Sequence, residues 1–144
     1  MRMKAVLLAA VLGVGLTAAA AQNPANPANP ANPGNPANPG NPGNPEKGKA
    51  VFDKCAACHA LDDTMADGPS LKGVFGRKAG TRDDYRYSAA MVRSGVVWDE
   101  MTIDAYVTDP QAFIRGNRMS FAGIPSKADR DDLIAYLAQA TKPR

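Results

Sequence analysis

The stretch FDKCAACHA, residues 52–60, holds both cysteines and the only histidine of this 144-residue chain. Around it, Ala50, Val51, Phe52, Cys55 and Cys58 recur at helical spacings, and Glu46 stands where a helix N-terminus favours an acid. The stretch is therefore expected to be a helix that carries the cysteines. A zinc site would want a second pair of ligands, and the chain has no further Cys or His. A redox Cys-x-x-Cys sits at a strand-to-helix junction, which this pattern does not offer. An inert disulfide would have no use for the adjacent histidine.

The N-terminus gives the context in which the remaining reading is weighed. Residues 1–21, MRMKAVLLAAVLGVGLTAAAA, have a basic start at Arg2 and Lys4, an apolar run to Leu16 and a small-residue ending. That is the layout of a secretory signal peptide cut after Ala21. The alternative is an uncleaved anchor, although the 17 residues from Ala5 to Ala21 fall short of the ~20 a spanning helix needs. Without Arg2 and Lys4 the chain has 15 basic and 14 acidic residues, too balanced for the sustained basic surface that nucleic acid requires.

Residues 22–45 form a spacer with eight Asn-Pro pairs at a three-residue period. Each proline fixes its own φ and pushes the preceding asparagine out of the helical region, so the tract is expected to be extended and solvated. A tether and an unselected repeat expansion both remain open. The folded part, residues 46–144, is long enough for one small domain with a thin core. Ser126 and Asp129 resemble a capping box ahead of an apolar stripe of Leu133, Ile134, Leu137 and Ala138, which predicts a terminal helix. A further helix should hold Ile103, Tyr106 and Val107 and stop before Pro110, with Gly73, Gly76, Gly80, Gly95, Gly116 and Gly123 in loops. No segment alternates well enough to be a strand. The expectation is an all-α domain whose long loops wrap around something.

In an exported chain, Cys-x-x-Cys-His is the attachment signature of c-type haem. Residues three apart on a helix share a face, so Cys55 and Cys58 reach the two vinyl groups and His59 lies next in line for the iron.

The blocks EKGKAVFDKCAACHA, DGPSLKGVFGRKAG, YRYSAA, GVVWDEMTIDAYVTDP, RMSFAGI and DRDDLIAYLAQAT resemble the class I c-type cytochromes, the small soluble mono-haem family, from Glu46 to about Thr141. The resemblance implies about five helices around one haem c, with the first and last helices crossing at Gly48 near Tyr136. It implies Met119, rather than Met65, Met91 or Met101, as the ligand opposite His59, a pairing that raises the potential and fills both axial positions. An electron carrier, not an enzyme, is then expected. The resemblance further implies that the Pro69 carbonyl orients His59, that Arg77, Tyr87 and Trp98 contact the propionates, and that Tyr106 lies beside the methionine sulfur. Phe75, Phe113 and Phe121 are read as packing on the haem.

Two departures affect the ligand loop. Arg115 stands where the family often has proline, and Asn117 where it has a hydroxyl residue, leaving the Asn117 amide as a propionate donor. Lys54 and Arg118, with Lys127 nearby, are expected to ring the exposed haem edge, with neutral Gln111 and Ala112 where lysines are frequent. Docking of larger redox complexes at that face is the expectation, for a monomer in the periplasm. The rivals are a membrane-tethered wire that retains its leader, and an enzyme or sensor whose Met119 leaves easily.

Overall fold

The computed structural model describes residues 43–64 and 66–142, so the leader, the repeat up to Pro42 and Met65 lie outside the described residues. The described chain contains α1 (Pro45–Ala56), α2 (Ala89–Arg93), α3 (Glu100–Thr108), α4 (Pro110–Phe113) and α5 (Lys127–Ala140). Among the described residues, extended pairing is limited to one antiparallel bridge between Lys78 and Val97. The all-α expectation with five helices holds.

The start of α1 lies inside the repeat rather than at Glu46. The Asn44 side chain accepts from the backbone N–H groups of Glu46 and Lys47 at 2.9 and 3.1 Å. Pro45 takes the first helical position, where its missing N–H costs no bond. The Asn44 N–H in turn donates to Asp132 Oδ1 at 2.6 Å, seating the turn on α5. The last Asn-Pro unit thus belongs to the folded domain, which shifts the expected boundary back from residue 46. Replacing Asn44 with alanine should cost about 1 kcal/mol, as loss of a cap does. In a domain of this size that lowers the thermal midpoint by roughly 4–8 °C. An unchanged midpoint in thermal unfolding would place Asn44 outside the fold.

α1 and α5 cross and pack on each other. Phe52 is buried on the α1 face, its ring 5.7 Å from that of Tyr136 on α5. The predicted stripe is realised at Leu133, Ile134 and Leu137, all buried. Ser126 caps α5 by accepting from the Asp129 N–H at 3.2 Å. A full reciprocal box forms at α3 instead, where Asp99 accepts from the Thr102 N–H and Thr102 Oγ1 accepts from the Asp99 N–H, both at 2.8 Å.

Charge closes the seam between α3 and α5. Arg130 is only 8 % exposed, and its Nε donates to Asp104 Oδ1 at 2.9 Å. Its Nη1 donates to the carbonyls of Ile124 and Pro125 at 2.9 and 2.8 Å, so no buried guanidinium edge is wasted on apolar surroundings. Lys127 pairs with the fully buried Asp131 and lies 3.8 Å from Asp104. It thus anchors the start of α5 through these carboxylates while its side chain stays 39 % exposed.

Apolar residues gather in two clusters. One joins Phe52, Val74, Ile103, Val107, Ile124, Leu133, Ile134 and Leu137; the other joins Ala79, Val96, Tyr106 and Ile114. Trp98 packs against both.

Candidate haem site

The motif that decides the fold is only partly helical. α1 ends at Ala56, so Cys55 occupies its last turn while Cys58 and His59 lie beyond it. The N–H groups of Cys58 and His59 both donate to the Cys55 carbonyl, at 3.0 and 2.9 Å, winding the chain tightly past the helix end. The expected single helical face is thus replaced by a helix end and a turn. Both nonetheless deliver Cys55, Cys58 and His59 to one cavity.

That cavity measures about 390 Å³ and lies within the size range of cofactor sites. Its walls are largely apolar: Phe52, Leu71, Val74, Ile103, Val107, Phe121, Leu133 and Leu137. Met119 lines it as well, and so does Met91, a methionine with no distinguishing pattern in the sequence. Polar groups enter from Arg77, Tyr87, Trp98 and Tyr106. Lys54, Cys58 and Arg118 line the cavity and are exposed, so they mark where it meets solvent.

The histidine is held in one orientation. His59 Nδ1 lies 2.7 Å from the Pro69 carbonyl, and a carbonyl only accepts, so Nδ1 carries the proton and Nε2 keeps its lone pair for a metal. Gly68 makes this possible. A Cβ at Gly68 would stand 2.6 Å from His59 Cε1 and 2.8 Å from the Cys58 carbonyl oxygen, so only glycine lets the backbone run against the imidazole. Gly68 went unread in the sequence because its role is a close approach, which no spacing reveals.

Burial governs the titratable groups here. It pushes the Cys55 thiol up, partly offset by Lys54. It also raises the Tyr106 phenol well beyond its ordinary range, keeping Tyr106 a neutral O–H. Burial raises Tyr87 too, with Arg77 pulling it back, and lowers the Arg77 guanidinium. Arg77 is fixed by donating Nη1 to the Lys72 carbonyl at 2.7 Å and Nη2 to the Ser70 carbonyl at 3.1 Å. Its remaining N–H groups are free to meet a carboxylate. Trp98 and Tyr106 stack obliquely, ring centroids 5.0 Å apart.

Not every expected residue reaches the cavity. Phe121 lines it, whereas Phe75 packs on the first cluster and Phe113 stands against Tyr106 at 6.1 Å. Phe52, read from the sequence only as part of a stripe, does line it. Asn117 does not line it either. It is buried, and its Nδ2 donates to the carbonyls of Pro110 and Ile114 at 2.6 and 2.9 Å.

Two thiols not bonded to each other, an oriented imidazole in a glycine cradle, a soft thioether and the polar handles of Arg77, Tyr87 and Trp98 among largely apolar walls form the donor set that fits a covalently held haem. The comparisons agree. Residues 45–141, more than half of the chain, match the family described as Cytochrome c. The chain is similar to cytochrome c2 of Rhodoblastus acidophilus, 48 % identical over 96 residues that cover 65 % of this chain and 90 % of that protein. It is similar to cytochrome c-550 of Bradyrhizobium diazoefficiens, 44 % identical over 97 residues covering 66 % and 71 %. Cytochrome c of Sesamum indicum is 42 % identical over 99 residues covering 67 % and 89 %.

Proposed function

Because the chain belongs to the cytochrome c family, whose cofactor is haem c, we propose that it is an exported mono-haem electron carrier, ligated by His59 and Met119 and shuttling single electrons between larger redox complexes in the periplasm. Bound in the cavity, the haem supplies a one-electron couple between ferric and ferrous iron.

What the chain's own residues contribute follows from their chemistry. Cys55 and Cys58 hold the group through thioether links. Pro69 holds the His59 tautomer in which Nε2 keeps its lone pair, so His59 would hold the iron through Nε2. Met119 would offer a soft thioether that favours the ferrous state, and with His59 and Met119 both holding the iron no site would be left for peroxide or oxygen. Arg77, Tyr87 and Trp98 offer N–H and O–H donors to the propionates, whose charge would otherwise be expensive at a buried edge. The apolar walls keep water away from the metal.

The observation that carries the reading is the convergence of Cys55, Cys58, His59 and Met119 on one apolar cavity. The exposed Lys54 and Arg118 at its mouth favour encounter with acidic partner surfaces. The test uses the haem-loaded full chain. Mass spectrometry should report one added haem, potentiometry a single one-electron wave, and the reduced protein should refuse carbon monoxide at neutral pH. Its electron transfer to an acidic redox protein should slow as salt shortens the Debye length to about 10 Å at 0.1 M. Reversing Lys54 and Arg118 to glutamate should slow it roughly tenfold at low salt. Ready carbon monoxide binding would overturn the carrier in favour of an enzyme or sensor. Rates indifferent to both salt and charge reversal would remove the docking face.

A further inference from the structure

The segment that delivers Met119 is wound around one amide. Asn117 is 7 % exposed, and its Nδ2 reaches the Pro110 carbonyl at the start of α4 and the Ile114 carbonyl just past its end. Its Oδ1 accepts from the Met119 N–H at 2.8 Å. Three bonds from a single side chain thus join residue 110, residue 114 and the backbone of Met119. Gln111 adds a looser strap from the solvent side, with Nε2 3.3 Å from Asn117 Oδ1 and 3.4 Å from the carbonyl oxygens of Asn117 and Met119. Those lengths lie beyond the usual N–H···O range, so Gln111 contributes less than Asn117.

The far end of the segment is pinned separately. The Ile124 N–H donates to the Val107 carbonyl at 2.8 Å, and Arg130 holds the carbonyls of Ile124 and Pro125. Inside the turn that Asn117 closes, Arg115 and Gly116 provide no proline to stiffen the chain, and Gly116 takes a φ of 85°. The conformational restraint that a proline would supply through φ alone is supplied here by the Asn117 amide through hydrogen bonds.

We propose that Asn117 is the positioning residue for Met119: its amide locks residues 110–119 in the conformation that presents the thioether, and so sets how readily Met119 gives way to another ligand. The proposal rests on Met119 being the ligand. For the sulfur to leave, residues 117–119 must swing outward, which breaks the Met119 N–H bond and leaves the buried Oδ1 without its close partner. A buried acceptor in that condition carries the desolvation penalty of the group, so the closed loop is favoured for as long as the amide is present.

The test is an imidazole titration of the ferric, haem-loaded full chain, followed by loss of the thioether-to-iron absorption band. Asn117→Ala should displace Met119 at an imidazole concentration about tenfold lower than the unaltered protein requires, the factor expected when one or two hydrogen bonds specific to the closed loop are lost. Asn117→Thr, which keeps one donor and one acceptor, should recover part of that protection, and Gln111→Ala should shift the titration by twofold or less. Ser126→Ala, which removes the α5 cap and touches nothing between residues 110 and 119, should lower the thermal midpoint and leave the titration where it was. If Asn117→Ala fails to accumulate, Asn117→Thr is judged alone, and a shift of threefold or more supports the proposal. Asn117 variants that lower the thermal midpoint but titrate like the parent would overturn it, because the amide would then be structural only. A Met119→Ala protein that retained the band would instead sink the ligand assignment, whatever the Asn117 variants do.

Discussion

Met119→Ala should abolish the thioether-to-iron band, lower the midpoint potential by on the order of 0.1 V or more, and open the protein to added cyanide and carbon monoxide. The direction follows from ligand chemistry. A thioether is a soft donor that favours the ferrous state, and water or a small anion in its place favours the ferric state, within the ~0.8 V span that axial ligands command. The alternative sulfur must be excluded, because Met91 lines the same cavity. The two are distinguished by their anchoring. Met119 is held by its N–H on Asn117 Oδ1 at 2.8 Å, in a segment outside any helix. Met91 is a residue of α2, where Ser88 caps its N–H at 3.1 Å. Met91→Leu should therefore retain the band and the potential to within a small shift. Should Met91→Leu lose the band and Met119→Ala keep it, the ligand assignment passes to Met91.

The parts of the molecule legible in its sequence are those written in spacing. The α5 stripe at Leu133, Ile134 and Leu137 and the stop before Pro110 depend on residue order within one element, and each stands where its pattern predicts. What spacing cannot carry is contact between distant segments. Asn44 reads as the last unit of a repeat, yet its N–H finds Asp132 across 88 residues of chain. Lys127 reads as a surface cation, but the ion pair with Asp131 is set by which way α5 is turned. Asn117 reads as a substitute for a hydroxyl, and its engagement follows from the way α4 folds back toward it. Cys58 and His59 lie beyond the helix because the backbone tightens onto the Cys55 carbonyl, a local event to which hydrophobic periodicity is blind.

Gly48→Ala tests the packing on which the whole cavity depends, and two effects of opposite sign make the outcome informative. Within a helix, alanine is favoured over glycine by about 1 kcal/mol, since it loses less backbone entropy on folding. If α1 stood free, the substitution would stabilise. At this crossing, however, a Cβ on Gly48 would lie 1.9 Å from the Asp132 carbonyl oxygen and 2.8 Å from Tyr136 Cβ. The first obstacle is backbone, so no rotamer change relieves it, and α1 and α5 must move apart. Overpacking of side chains costs about 1–3 kcal/mol, and a clash with backbone belongs at or above the upper end of that range. The net loss should then be at least ~2 kcal/mol, or roughly 8 °C or more in thermal midpoint. The consequence reaches the site because Phe52 on α1 and Leu133 and Leu137 on α5 are walls of the same cavity. Separation of the two helices would admit water beside the haem, and the midpoint potential should fall along with the stability. Thermal unfolding and potentiometry on the same preparation decide the matter. A Gly48→Ala protein as stable as the parent, or more so, would mean that α1 and α5 do not cross at this residue.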